Sequence, residues 1–478
     1  MGDRRLFWEK RRILFLWLAV ALIQTFLITN GTFELIVPER MDQLFNSMLA
    51  HLLEGDLEVD SGAVGPELIR IDGRHLTHFG VLPALLRLPA LLFVDLKGAH
   101  LARLSCLIAS MVGCLALLLS ATKVLRARGK AGSLTATAFV ATLLLSGPTI
   151  FMLASAPVYH EPILWAASLA FWFNYILLGR HLDGRVEWGA ELTALGALGS
   201  AALLARPSVG APLCLVAALL VVLDLRRISG RRIGGFGPRG KDRHLDELRP
   251  HGICALLLLL GTTTFAAVNH GRFGNFFSVA VYDNYEPFLL DPSYLDVVRD
   301  HGVVNLRRSW LSLIYYLTGS LPLLHRLLEH ADTAYGLPEG PPMGIALIGG
   351  LTFVAALVGV IRGLRPRAWA GAADLGVAAL GQSLSTLVVL GYYFLAPRYI
   401  MDMWPLVCLC ALVGLSWCVG WIQSLSRPKA ASAFLVVVLL GCFSVWQSIA
   451  IMARYKTHWY AMDEHARGFV ERYYPWLE

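Results

Sequence analysis

Eleven apolar stretches dominate this 478-residue chain, near residues 12–30, 101–122, 132–152, 161–179, 188–205, 208–224, 253–269, 342–361, 371–391, 401–423 and 431–450. Each approaches the roughly 20 residues that cross a hydrocarbon core of about 30 Å as a helix. Lipid offers backbone N–H and C=O groups no partner, so such segments must close their hydrogen bonds internally. The expectation is an all-α polytopic membrane protein with about eleven transmembrane helices. A composition of 56% hydrophobic and 16% charged residues fits that solvent and no aqueous one.

The net charge of +7 does not point to nucleic acid, because Arg and Lys gather in short segments between apolar runs rather than on one face. They read as topology signals. The start "MGDRRLFWEKRR" and the loops "KVLRARGK", "GRHLDGR", the basic stretch 225–252, "RGLRPR" and "SRPK" all fall on one side if eleven spans are threaded. By the positive-inside rule that side is the cytoplasm, with the N-terminus in and the C-terminus out. Counting "FGVLPALLRLPALLFV" as a further span would put "KVLRARGK" and the basic stretch outside, so it is expected to form an interfacial or re-entrant helix pair. The first apolar run is too long for a signal peptide and no small-residue cleavage site follows, which predicts a retained helix. Eight cysteines lie in or beside apolar runs without zinc or redox spacing.

The other side then holds a first loop 31–100, a second large loop 270–341 and a tail 452–478. Nearly every unusual polar residue collects there. Residues 41–54 predict an amphipathic helix in the outer interface, with Met41, Leu44, Phe45, Met48 and Leu52 on one side and Gln43, Asn46, Ser47, His51 and Glu54 opposite. Asp42 would project at the boundary between lipid headgroups and water. Asp72-Gly73 between short alternating runs predicts a hairpin. Arg206 in "LLARPSVG" and Arg398 in "LAPRYIMDMW" sit at outer helix ends, against the charge bias, where an arginine meets an anion or pairs with a residue such as Asp402. Glu39 and Asp42 would serve equally as acids at a helix start. Glu161 has the same alternative, and His160 that of a headgroup contact.

The layout resembles the GT-C integral-membrane glycosyltransferases, especially their bacterial lipid-linked-sugar branch. The likeness rests on the first span followed by a long loop carrying "ERMDQLF" and "LAHLLEGD", the Pro-containing "FGVLPALLRLP", the span "LARLSCLIASMVGCLALLL", and a late "PRYIMDMWP". The resemblance implies a polyprenyl-phosphate sugar donor, an envelope glycan, lipid or protein as acceptor, and a bacterial inner membrane location facing the periplasm. It also implies a catalytic base among the acids just after the first span, at Asp42 or Glu39. The usual acidic pair is replaced here by Glu39-Arg40 and a lone Asp42. No residues here match an oligosaccharyltransferase signature, and no large soluble carbohydrate-binding domain is expected within these residues.

Transfer from a phosphate-linked sugar needs a base for the acceptor hydroxyl and donors for the departing phosphate. Arg206 and Arg398 suit the phosphate, since guanidinium grips it in a fork, with His160, Glu161 and Tyr399 completing the substrate site. No cofactor is implied with certainty. Asp283 and Glu286 leave room for a divalent cation but make no metal motif. The rival class is a transporter or flippase of a lipid-linked sugar, which would place ionisable groups at mid-membrane. Asn174, Asp224, Asn269 and Gln382 are the few strongly polar residues in or at the spans.

Overall fold

A computed structural model describes residues 2–130, 132–183, 189–233, 241–277, 284–329, 333–336, 338–363, 372–459 and 464–474. Asp283, part of the basic stretch 225–252 and the last residues of the tail lie outside them. All eleven apolar stretches are helical. Nine of the described helices are long and apolar enough to cross a membrane, from Arg11–Ile28 to Arg427–Thr457. Two expected spans are shorter, Ala190–Ala205 with 16 residues and Gly350–Gly363 with 14. The chain is a multi-pass helical membrane protein. Its lipid-facing surface is written along the last long helix, where Leu435, Val436, Leu439, Phe443 and Trp446 stay exposed on one stripe.

Helices approach closely where side chains vanish. A Cβ on Gly359 would lie 1.9 Å from the Cys410 carbonyl, and one on Gly414 1.9 Å from that of Ala355, so Gly350–Gly363 and Ile400–Ser424 touch backbone to backbone. Polar residues within the spans satisfy one another. Gln382 donates to Asn174 at 2.8 Å and Asn174 donates to the Pro405 carbonyl at 3.1 Å. Asp224 meets His251 at 2.9 Å beside Arg180, and Asp374 meets Arg227 at 2.7 Å. These pairs join helices.

The first connecting segment has a core of its own, built on Leu44, Phe45, Met48, Leu49, Leu68 and Phe79. The hairpin expected at Asp72-Gly73 is present. Strands Ile69–Ile71 and Arg74–Leu76 pair in antiparallel, and both turn residues take positive φ, 51° and 79°. The amphipathic helix begins later than expected, at Leu44, because Met41 has φ 59° and cannot be helical. Its polar side is not left to water. Leu44–Leu49 are all buried, and Asn46 donates to the carbonyls of Leu96 and Ala99. Apolar periodicity located the helix, but residues 82–101 fold over its polar side. The Pro-rich run there is a pair of short helices, Leu82–Leu85 and Leu88–Leu92, with Leu92 and Phe93 more than 80% exposed.

Candidate active site

Proline sets the two arginines singled out from the sequence. Residues before proline are pushed to extended backbone. Arg206 precedes Pro207 and has φ −153°, ψ 107°, so the helix Ala190–Ala205 stops and the side chain leaves at the break. Ala396 precedes Pro397 in the same way, and the tight turn Pro397–Tyr399 then hands Arg398 to the start of Ile400–Ser424. Both arginines line a cavity of about 790 Å³ at one end of the helix bundle, together with Tyr399. Gly80 completes that wall: its missing Cβ would collide with the carbonyls of Leu204 and Ala205 at 2.3 Å, so the strip bearing His78 and Phe79 lies directly on the Arg206 turn.

Each arginine is held from behind by a buried carboxylate through one edge. Arg206 Nε donates to both oxygens of Asp402, at 2.7 and 2.8 Å, and Ser208 Oγ donates to the same carboxylate at 3.0 Å. Arg398 Nη1 donates to Glu339 Oε2. Among the described residues, Arg206 Nη1 and Nη2 and Arg398 Nε and Nη2 donate to nothing. Two guanidinium forks therefore keep charged donors available at the cavity wall. Arg398 lies 4.3 Å from the Tyr159 ring and 5.3 Å from that of Tyr399, and Arg206 lies 5.4 Å from Tyr399. These faces stiffen the cations further.

Further wall comes from the second connecting segment and from the residues after the helix Ala372–Gly391. Ile69 bridges Tyr285, and the Glu286 N–H donates to the Leu68 carbonyl at 3.1 Å, which straps the two segments together. Tyr285, Phe288, Tyr294, Tyr392 and Tyr393 form an aromatic surface, with Phe288 and Tyr294 parallel at 6.1 Å. His78 lies against Phe79 and Tyr285. Burial, with the nearby arginines and against the pull of Glu67, holds its imidazole below the ordinary range, so it is neutral at pH 7.

The remaining residues expected from the sequence occupy a neighbouring buried network and do not line the cavity. Asp42 is 6% exposed, accepts from the Glu39 N–H at 3.1 Å and contacts His100 Nδ1 at 2.6 Å, so protein surrounds it. It does not cap the helix that follows, whose N-cap is Gln43. Glu39 pairs with Arg103. Glu161 pairs with Arg87 at 2.7 Å, and Arg87 also donates to Asn46 and to the Asp42 carbonyl. His160 is fully buried, its Nδ1 against the carbonyls of Met152 and Ser155. Between Glu39 and Asp42, Arg40 does line the cavity.

Sequence reasoning passed over Arg40, Glu67, Glu339, Tyr285 and Tyr455, all cavity residues. Their spacing carries no motif; "GPELIRI" gives Glu67 no signal beyond an acid before a hairpin. Among the described residues the cavity carboxylates are already engaged: Glu339 and Asp402 each hold an arginine, and Glu67 accepts from two tyrosines. Glu286 instead faces Arg70 at 3.9 Å.

No protein-family profile and no curated protein sequence matches this chain. Solved structures do. The oligosaccharyltransferase of Archaeoglobus fulgidus in its apo form superposes with a TM-score of 0.54 at 14% identity, covering 98% of this chain and 60% of that one. AglB from the same organism, in complex with an inhibitory peptide and a dolichol-phosphate, gives 0.51 at 14% identity over 98% and 60%. ArnT from Cupriavidus metallidurans bound to undecaprenyl phosphate gives 0.48 at 16% identity over 96% and 73%. The chain thus spans about 60% of the length of the archaeal transferases it matches. Identity this low speaks for architecture alone: over nearly all of its length the chain shares the fold of these archaeal oligosaccharyltransferase structures.

Proposed function

We propose that this protein is a membrane glycosyltransferase that moves a sugar from a polyprenyl-phosphate-linked donor to an envelope glycan, lipid or protein. The observation that carries the proposal is the pair of half-used guanidinium forks, Arg206 backed by Asp402 and Arg398 backed by Glu339, facing one cavity lined with aromatic rings. Prepositioned arginines match the charge that develops on a departing phosphate, and aromatic faces suit a sugar ring. Charge on these forks is already oriented before the reaction, so little reorganisation is needed when the bond breaks.

The reading also takes eleven spans, with the basic loops in the cytoplasm and the cavity on the periplasmic face of a bacterial inner membrane. Arg206, Tyr159, Arg398 and Tyr455 come from four different helix ends that this threading puts on one side, and they meet in one cavity. The mid-span polar residues are spent on helix contacts, which gives a transport route little to use. Glu39 and Asp42 enter the proposal through the turn they hold: the Asp42 carboxylate accepts from the Glu39 N–H while Glu39 is anchored by Arg103, and Arg40 between them is set against the cavity.

Protein in lipid nanodiscs, given short-chain polyprenyl-phosphate-linked pentoses and hexoses with an envelope extract, is expected to release polyprenyl phosphate. Arg206→Ala should abolish release and weaken binding of undecaprenyl phosphate. Translocation of the intact lipid without release would replace this reading by a flippase. Undiminished binding in Arg206→Ala would remove the anion site.

A further inference from the structure

Among the described residues three carboxylates line the cavity, and two are already committed. A proton taken up by Glu339 or Asp402 would undo the ion pair that aims an arginine. Glu67 is bonded differently. Tyr159 Oη donates to its Oε1 and Tyr285 Oη donates to its Oε2, so its hydrogen bonds come from neutral hydroxyls and each oxygen keeps a second lone pair. Three separate segments fix the arrangement: the tight turn Gly65–Glu67, the residue before the helix His160–Asp183, and Tyr285 on its bridge to Ile69. Burial, reinforced by the adjacent carboxylate, pushes both phenols well above their ordinary range, so they stay protonated donors. The Tyr159 ring that touches this carboxylate lies under the Arg398 guanidinium at 4.3 Å, which puts acid and phosphate fork on two sides of one side chain.

We propose that Glu67 takes the proton of the acceptor hydroxyl. This rests on the glycosyl-transfer reading and adds its base. As the hydroxyl oxygen forms a bond to the anomeric carbon, the bond from that carbon to the donor phosphate oxygen breaks. The bonding pair leaves on the phosphate, facing Arg206 and Arg398, and the hydroxyl proton passes to a free lone pair of Glu67. Polyprenyl phosphate departs, and Glu67 returns its proton to water. Tyr159 and Tyr285 are positioning residues that hold the carboxylate in plane.

The test uses the full chain in nanodiscs and two readouts, release of polyprenyl phosphate and equilibrium binding of undecaprenyl phosphate. If the parent releases nothing from any donor, the glycosyl-transfer reading fails before Glu67 is touched. With an active parent, Glu67→Gln is expected to turn over about 10²-fold or more slowly while binding undecaprenyl phosphate as the parent does. Added formate should restore part of the rate to Glu67→Ala, because a small carboxylate can occupy the space. Glu67→Gln at the parental rate, or Glu67→Ala that formate leaves unchanged, overturns the assignment. Should Glu67→Gln not fold, Glu67→Asp decides: a carboxylate kept with turnover as low as in unrescued Glu67→Ala also overturns it.

Discussion

Arg398 and Glu339 offer a perturbation in which stability and binding should separate. Their side chains are 11% and 4% exposed, so the pair is desolvated. Arg398→Ala strands the Glu339 carboxylate with the Tyr455 hydroxyl, at 3.5 Å, as its remaining side-chain hydrogen-bond donor among the described residues. Breaking a buried pair from one side costs about 3–5 kcal/mol. Loss of the guanidinium from the faces of Tyr159 and Tyr399 adds about 0.5–1 kcal/mol for each ring. The donor loses Nε and Nη2 as charged hydrogen-bond partners, each worth about 1.5–3 kcal/mol, so affinity for the phosphate should fall about tenfold for one bond and 10²-fold or more for two. Arg398→Ala with Glu339→Gln removes the stranded charge. Thermal unfolding in lipid should then recover most of the lost stability, whereas binding of undecaprenyl phosphate should stay weak. Arg398→Lys keeps the charge without the planar fork and should bind between the two. The reasoning is refuted if the double variant binds like the parent, or if Arg398→Ala alone leaves binding intact.

Asp42→Asn still offers an oxygen to the Glu39 N–H, so turnover should stay within about tenfold of the parent; a loss of about 10²-fold or more with binding preserved would return the base to Asp42. Glu39→Gln leaves Arg103 without its carboxylate and is expected to cost stability, about 3–5 kcal/mol, more than it costs intrinsic turnover per folded molecule. Reporters fused at residue 240 and after residue 470 should sit on opposite sides of the membrane, the first cytoplasmic; a shared side rejects eleven spans. His78 gives a pH signature. Its folded-state pKa is depressed, so below the unfolded value of about 6.5 the unfolded chain binds more protons, and stability falls as pH falls through that window. His78→Gln should flatten this limb, and an unchanged profile would show that His78 is not the group responsible.

Several features were readable from residue order because their causes are local. The apolar runs became helices since lipid leaves the backbone no other partner, and Asp72-Gly73 became a turn since those two residues tolerate positive φ. The Arg206 and Arg398 positions were legible for a similar reason: a cation at an outer helix end, against the positive-inside bias, stands out from an apolar background. The helix at 44–54 was only half legible. Periodicity shows which side is apolar, but whether the polar side meets water depends on residues 82–101, which cover it with Arg87, Leu96 and Ala99.

Solvent class, helix positions and the basic loops are thus properties of the sequence itself, because each follows from composition within about 20 residues. The cavity is not of that kind. Glu67 and Tyr285 are 218 positions apart, and Arg206 and Asp402 are 196 apart. No local pattern can announce such partners. Packing brought them together, through a glycine-made contact at Gly80 and the strap between two long segments, and so decided which acid faces the cavity and which, like Asp42, faces protein.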